Sequence, residues 1–285
     1  MTSARIPGWM LAVAAMTVLQ LAAALTTSLY PLVGPAGTGW LRLVGGALIF
    51  LVLVRPRLSS FERNDLRMLV MLGLATAMMT ITFQYAIFHL GLGMTAAIQF
   101  LGPLCVGVFR AKRKRHVIWP IIAFGGVVAL TQPWTGTLNL IGVLFAALAA
   151  LGWAIYIVLT QQAGDRVTGF RALSITIPVA ALAASIVGLP QVWGNLTPAV
   201  ALASLGLAIL MPVIPFALEL VALKRLTASA FGTLMAGEPA LAATFGFLLL
   251  GERLDALQLA GVAIVVLAGI GAERVGRRTA LPTGA

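Results

Sequence analysis

The sequence AFGTLMAGEPALAATFGFLLLG (230–251) is an apolar stretch long enough to cross a lipid bilayer, with an acid and a proline near its middle. The carboxylate of Glu238 would lie near the membrane midplane, where an unpaired charge costs about 3 kcal/mol or more. Pro239 has no backbone N–H, so we expect the helix to kink or open beside the acid. An interrupted helix next to an intramembrane charge is typical of a transporter binding site.

The composition of the whole chain indicates a polytopic membrane protein. Of the 285 residues, 60% are hydrophobic and 9% are charged, and the mean hydropathy is +1.03. Soluble domains carry about 25% charged residues. The single cysteine, Cys105, permits no disulfide within the chain, so nothing indicates an oxidising compartment.

Apolar runs of about 20 residues recur along the chain, and they predict an all-α integral membrane protein with ten transmembrane helices. The loops between the runs are short, among them the predicted loop LYPLVGPAGTG (29–39), so we expect no separate extramembrane domain. The runs are 8–28, 36–54, 68–88, 93–109, 117–131, 140–161, 172–189, 199–222, 228–250 and 256–273.

The basic residues predict the orientation of these helices. When the loops are assigned alternately to the two sides, all but two of the 19 basic residues, Arg42 and Arg253, fall on one side. By the positive-inside rule this side is cytoplasmic, which places both termini in the cytoplasm. Because topology accounts for the net charge of +11, we predict no nucleic-acid partner.

A weak internal repeat is visible at a spacing of 136 residues. Under this shift, residues 87–103 align with residues 223–239 without a gap, and Pro103 aligns with Pro239. The two prolines would then mark equivalent bends in the fourth and ninth helices.

The repeat predicts two five-helix halves, residues 1–134 and residues 135–285. An odd number of helices in each half inverts the second copy in the membrane. Inverted repeats place a binding site at their interface, and one half rocks against the other to give alternating access.

Three charged residues inside the apolar runs are candidate site residues, each with a structural alternative. Arg42 suits a carboxylate ligand or a pair with Glu238, but it also fits snorkelling to the membrane interface. Glu219 suits a gate or a proton site, or a structural ion pair at a helix end. Glu238 is the deepest acid and the strongest candidate, although a protonated acid bonded to a carbonyl would be a sufficient structural account.

Amides and aromatic residues form a second group of candidates, again with two interpretations. Such side chains can bind ammonium or carboxylate groups in a cavity, or they can hold helices together and fill gaps. The group consists of Gln84, Tyr85, Gln99, Trp153 and Tyr156.

Enzyme signatures are absent from the sequence. It contains no metal-ligand spacing, no phosphate-binding glycine loop and no nucleophile elbow. We therefore predict no enzymatic activity, no metal and no cofactor. Solute movement must follow a gradient or be coupled to an ion.

Four pieces of the sequence resemble the drug/metabolite transporter superfamily, in particular its paired EamA-type domains and, among these, the threonine/homoserine exporters. They are SLYPLVGPAGTGWLRL (28–43), GMTAAIQFLGPL (93–104), LGWAIYIVLTQQAG (151–164) and ALKRLTASAFGTLMAGEPALAA (222–243). The resemblance implies ten helices in two inverted repeats, no use of ATP, and export of small amino acids or related metabolites across a bacterial inner membrane.

The resemblance also marks individual residues. The matched positions are Arg42, Gly102, Pro103, Trp153, Tyr156, Glu219, Glu238 and Pro239. Gln99 departs from the pattern, because this position is often glutamate in the exporters. Glutamine cannot carry a proton, which puts proton coupling at that position in doubt.

These observations lead to three hypotheses. The first is a secondary exporter of amino acids, in which Arg42 and a helix end hold the carboxylate while Glu238, Gln99 or a tyrosine holds the ammonium group. The second is an exporter of drugs or other small metabolites, and the third is a non-transporting membrane scaffold. The predicted partners are a small-molecule substrate and the lipid bilayer, and we expect a monomer or a weak oligomer.

Overall fold

A computed structural model describes residues 7–56, 61–109, 118–135, 138–164, 169–223, 225–226 and 234–275. Within these ranges the regular backbone is helical, which confirms the all-α prediction. The α-helices are α1 (Gly8–Thr26), α2 (Tyr30–Val54), α3 (Arg63–Leu90), α4 (Leu92–Gln99), α5 (Leu101–Phe109), α6 (Ile118–Thr131), α7 (Leu140–Gly164), α8 (Gly169–Val192), α9 (Pro198–Ala208), α10 (Ile214–Leu223), α11 (Glu238–Leu250) and α12 (Ala256–Val275).

Several of these helices are apolar enough to cross a membrane. Four helical stretches of the described residues are long enough as well, namely Gly8–Val54, Arg63–Leu90, Leu140–Thr160 and Phe170–Val192. Shorter apolar helices make up much of the remainder. Large apolar side chains cover the outside of the bundle, and Leu182 and Ile186 of α8 are 74% and 79% exposed. Such a surface suits a lipid environment.

The connection between α1 and α2 differs from the predicted loop at residues 29–39. A 3₁₀ turn (Thr27–Leu29) joins the helices, and non-helical backbone within α2 occurs at Gly34, with φ of 65° and ψ of 168°. A positive φ is readily adopted by glycine, and the following Pro35 restarts the helix without needing a hydrogen bond from its nitrogen. The chain therefore changes direction at one residue instead of over a loop.

The predicted fourth and ninth helices are both interrupted near their prolines. Helix α4 ends at Gln99 and α5 begins at Leu101, and a turn at residues 236–237 precedes α11. Pro103 and Pro239 lie in the first turn after each interruption, where the missing N–H is tolerated. Because proline cannot donate, neither residue bonds the carbonyl four positions earlier, at Gln99 or Met235.

The eighth predicted run is also broken, which corrects the prediction of one helix over residues 199–222. A π-helical segment (Ile209–Val213) separates α9 from α10, and its Met211 is extended, with φ of −156° and ψ of 109°. Pro212 lies inside this segment. A proline inside a helix removes one hydrogen bond and clashes with the preceding turn, which accounts for the break.

The helices pack as a single bundle in which distant parts of the sequence are neighbours. Helix α3 lies against α7 and α8, α2 lies against α8 and α9, α1 lies against α10 and α11, α4 lies against α7 and α11, and α6 lies against α12. Small residues allow some of these contacts to be close. A Cβ atom at Gly102 of α5 would clash with the carbonyl oxygen of Ala150 in α7, so the two backbones touch.

Candidate functional site

Glu238 is the first residue of α11, and its buried carboxylate contacts the first helix of the chain. Gln20 of α1 donates a hydrogen bond from Nε2 to Glu238 Oε1 at 2.9 Å. The other two oxygen atoms of this pair, Glu238 Oε2 and Gln20 Oε1, are buried without a hydrogen-bond partner among the described residues. The position at the start of a helix suits a carboxylate, because the helix dipole and free N–H groups lie there.

Two further ionisable side chains are linked electrostatically to this acid, Glu219 directly and Tyr156 through Glu219. Glu219 of α10 lies within electrostatic range of both Glu238 and Tyr156. Tyr156 of α7 packs on a buried cluster that includes Leu69 and Leu159. Together with Gln20, these side chains form a group dominated by oxygen acceptors, which we call the acidic cluster: Gln20, Tyr156, Glu219 and Glu238.

Arg42 is buried between helices, contrary to the interpretation that it snorkels to the membrane interface. It lies eight residues beyond the break at Gly34 and is only 4% exposed. Its Nη1 donates a hydrogen bond to the Sδ atom of Met211 at 3.3 Å. Within the described part of the chain, this is the one hydrogen bond of its side chain. The predicted alternative of a pair with Glu238 is not formed, since Glu238 contacts Gln20.

Tyr30 and Gln84 lie beside this arginine. The Tyr30 hydroxyl donates to Gln84 Oε1 at 3.1 Å and is within electrostatic range of Arg42. A Cβ atom at Gly39 would lie 3.2 Å from Gln84 Cγ, and Arg42 is one turn further along the same face of α2. Gln84 Nε2 is buried and has no acceptor among the described residues. We call this donor-rich group, Tyr30, Arg42 and Gln84, the basic cluster.

Tyr85 belongs to a different network from its neighbour Gln84. Gln191 of α8 donates from Nε2 to the Tyr85 hydroxyl at 2.8 Å and accepts from the Gly37 N–H at 3.0 Å. The Tyr85 ring stacks on Phe145 of α7, with centroids 4.8 Å apart. Tyr85 therefore links α2, α3, α7 and α8 and is not part of either cluster.

The remaining predicted residues lie around the break between α4 and α5. Gln99 is buried at the C-terminal end of α4. The Trp153 ring meets Phe100 edge to face, with centroids 6.4 Å apart, and packs with the cluster that includes Ala236. Trp153 and Tyr156 lie three residues apart on α7 and pack in different clusters.

Some contacts were not found by the sequence analysis. Gln20, Tyr30 and Gln191 are polar residues near or within apolar runs, a signal that was present for each of them. Glu252 follows α11, and its carboxylate accepts hydrogen bonds from the N–H groups of Leu92 and Gly93 at the start of α4. It caps a helix far away in sequence, so no local pattern could identify its partner.

A cavity of about 340 Å³ opens where α3, α6, α7 and α12 have their ends on one side of the bundle. His89, Gln132, Asn139, Asp255 and Gln258 are among its lining residues. None of the predicted site residues lines it. Among the described residues, no group of three or more His, Cys, Asp or Glu side chains could hold a metal ion.

Helices α1 and α2, which carry Gln20 and Arg42, both pack against the π-helical segment. One cluster offers a buried guanidinium and an amide donor, and the other offers carboxylate and amide oxygens. Unpaired buried groups of this kind are costly unless a ligand, water or a proton completes them. Each cluster is therefore a candidate for contact with a polar ligand.

Comparison with known proteins identifies the family to which the chain belongs. The profile of the EamA-like transporter family matches residues 140–271. The threonine/homoserine exporter RhtA of Escherichia coli K12 is 34% identical over 288 residues, covering 96% of this chain and 95% of the relative. An uncharacterized transporter of Clostridium kluyveri is 27% identical over 247 residues, covering 79% of each chain. One solved crystal structure shares the fold, with a TM-score of 0.56 and 19% identity over 94% of each chain.

Broken apolar helices around buried charges, together with these relatives, define a membrane transporter of small molecules. The chain belongs to the EamA-like transporter family, within the drug/metabolite transporter superfamily. The named relatives are transporters rather than enzymes, which agrees with the predicted class and leaves no support for a non-transporting scaffold.

Proposed function

We propose that this transporter exports small neutral amino acids, with threonine and homoserine as the first candidates, across the bacterial inner membrane by alternating access. Relatives that are one third identical over nearly the whole chain are named threonine/homoserine exporters. The observation that carries the proposal is the buried Arg42, whose described hydrogen bond is to a sulfur atom.

The basic cluster binds the substrate carboxylate. A guanidinium presents several N–H donors in a fixed plane and matches a carboxylate in two-point contact. Thioether sulfur is a weak acceptor. A carboxylate that replaces Met211 therefore gives the Arg42 guanidinium a much stronger hydrogen-bond acceptor. Gln84 Nε2, buried and without an acceptor, supplies a second donor, while Tyr30 orients the Gln84 amide through its hydroxyl.

The acidic cluster binds the substrate ammonium group. Glu238 Oε2 is a buried oxygen without a described partner, and an ammonium group supplies both a donor and the opposite charge. Glu219 lies within electrostatic range and strengthens the negative potential when it is ionised. Because the two clusters bind opposite ends of a zwitterion, they favour an amino acid over a ligand with a single charge.

The contacts between helices support two inverted halves, residues 1–134 and 135–285. In such a repeat α1 corresponds to α7, α2 to α8, and α3 to the broken pair α9 and α10. The contact of α1 with α10 is then the equivalent of the contact of α7 with α3. The contact of α2 with α9 likewise matches that of α8 with α3. Three further contacts each join a helix to its own equivalent in the other half, namely α2 with α8, α4 with α11 and α6 with α12. The breaks at Phe100 and Ala236 are also 136 residues apart.

Interrupted helices at the interface of inverted repeats suit alternating access, because the site can open to either side when the halves rock. The distribution of basic residues places both termini in the cytoplasm. In this orientation the α3–α4 and α11–α12 connections face away from the cytoplasm.

The proposal is tested by counterflow in proteoliposomes at equal pH on both sides. Vesicles loaded with unlabelled threonine should accumulate labelled threonine, and those with Arg42→Gln protein should not. A panel of homoserine, a bulky aromatic amino acid and a cationic drug defines the substrate range. Counterflow of the drug without counterflow of any amino acid would contradict the proposal and favour the drug exporter.

A further inference from the structure

Gln20 and Glu238 share one hydrogen bond, and each keeps one further oxygen atom buried. The Gln20 amide nitrogen donates to one carboxylate oxygen at 2.9 Å, while the second carboxylate oxygen and the amide oxygen are both buried without a partner among the described residues. Both of these atoms are acceptors when the acid is ionised, so they cannot bond each other. A proton on the carboxylate would supply the second donor that the pair lacks.

We propose that Gln20 and Glu238 form a binding site for a coupling proton, which closes the reciprocal pair when the ammonium group of the substrate is absent. A proton on Glu238 Oε2 makes this atom a donor toward Gln20 Oε1. The acid and the amide then exchange two hydrogen bonds, and both orphaned oxygens gain a partner. This inference rests on the proposed function, because it concerns the same carboxylate that binds the ammonium group.

The surroundings of the pair contain few competing charges. Helices α1, α4 and α12, which pack on α11, carry no ionisable side chain among their described residues up to Ala272. Glu219 of α10 is the ionisable carboxyl group in electrostatic range. A Glu219→Gln variant therefore separates the contribution of Glu219 from that of Glu238.

The exchange balances as follows. Water on the open side supplies a proton to Glu238 Oε2, and the neutral pair forms. When a zwitterionic amino acid binds, the O–H bond of Glu238 breaks, the proton returns to water, and the carboxylate holds the ammonium group. One proton moves in one direction for each amino acid that moves in the other. Because the amino acid has no net charge, each cycle moves one positive charge across the membrane.

The experiment uses the full chain in proteoliposomes that contain a pH-sensitive dye, with threonine as the probe. A threonine gradient should drive protons in the opposite direction. With the membrane potential clamped at zero, an opposing proton gradient of about tenfold should stop net flux from a tenfold threonine gradient. Counterflow at equal pH is measured on the same vesicles as the test of threonine transport itself.

Three variants connect the proton to the pair. Glu238→Gln keeps an acceptor and a donor toward Gln20 but cannot release a proton, so threonine-driven proton movement should disappear. Gln20→Met keeps the length of the side chain without its amide, and the midpoint of the pH dependence should move by at least about half a pH unit. Asp255→Asn, a carboxyl substitution away from both clusters, should leave the pH profile unchanged.

The outcomes separate the two proposals. Threonine counterflow without proton movement would overturn the proton site and leave the exporter intact. Absence of counterflow for any amino acid would overturn the exporter, and the proton exchange with it. An unchanged pH profile in Gln20→Met would remove Gln20 from the site.

Discussion

The Arg42 guanidinium donates to the Met211 sulfur at 3.3 Å, across the contact between α2 and the π-helical segment. Truncating one partner of a buried charged contact costs about 2–5 kcal/mol. We therefore expect Arg42→Gln to raise the threonine concentration for half-maximal counterflow by about 30-fold or more. Arg253→Gln is the matched control, because Arg253 is exposed in the α11–α12 connection. Equal effects of the two substitutions would contradict a role for Arg42 in binding.

A carboxylate placed at residue 84 should occupy the arginine in the absence of substrate. Gln84 lies beside the Arg42 face of α2 and has an unpaired buried Nε2. In Gln84→Glu the new carboxylate pairs with Arg42 and competes with the substrate, so threonine binding should fall at least about tenfold. The amount of folded protein, measured by size-exclusion chromatography, should not fall. Threonine affinity that is equal to that of the native protein would place Gln84 outside the carboxylate site.

The close contact between α5 and α7 should make Gly102 intolerant of a side chain. A Cβ atom there would clash with the Ala150 carbonyl oxygen, and overpacking costs about 1–3 kcal/mol or more. We expect Gly102→Ala to lower the unfolding temperature in detergent by several degrees. Gly125→Ala is the control, because no atom lies within 4 Å of the added Cβ. A smaller loss for Gly102→Ala than for Gly125→Ala would refute this packing.

Helix α4 should depend on the Glu252 carboxylate for its N-terminal cap. This side chain accepts from the N–H groups of Leu92 and Gly93, and loss of a helix cap costs about 1 kcal/mol. Glu252→Ala should therefore destabilise the protein by about this amount, and chemical denaturation in mild detergent measures it. The control is Glu62→Ala, since Glu62 precedes α3 and makes no capping hydrogen bond with its side chain. An equally large effect of Glu62→Ala would argue against the cap.

Asp255 provides a prediction about pH at a site outside the apolar helices. The Gln258 N–H and then the Gln132 amide donate to this carboxylate and hold its pKa below the usual value. The stability that these bonds contribute is present above the unfolded pKa of about 4 and is lost as pH falls through the lower folded pKa. The difference in unfolding temperature between the native protein and Asp255→Ala should be constant from about pH 8 to pH 5 and should shrink below about pH 4. A difference that grows on acidification would have the wrong sign.

The sequence predicted the positions of the helices well, because hydrophobic length is a local property. It also placed Glu238 beside an interruption, since Pro239 is its neighbour. The break at Met211 was not predicted, because the apolar run continues without interruption through Pro212. The loop predicted at residues 29–39 proved to be a bend at Gly34, because a single glycine with positive φ suffices.

The partners of the buried polar groups lay beyond the reach of the sequence. Gln20 and Glu238 are 218 positions apart, and their contact depends on α1 packing against α11. The same holds for Tyr30 with Gln84 and for Arg42 with Met211. A polar residue in an apolar run indicates that some partner exists, but only the packing of the helices identifies that partner.

The π-helical segment at Ile209–Val213 divides one apolar run into two helices, α9 and α10, that pack against different neighbours. Helix α9 rests on α2, whereas α10 rests on α1, and the extended residue Met211 joins them without a continuous ladder of hydrogen bonds. The two helices are therefore held by different neighbours and are not parts of one continuous helix. The arginine contact lies at this junction, so under the proposed function a carboxylate that replaces Met211 at Arg42 would act where the two helices meet.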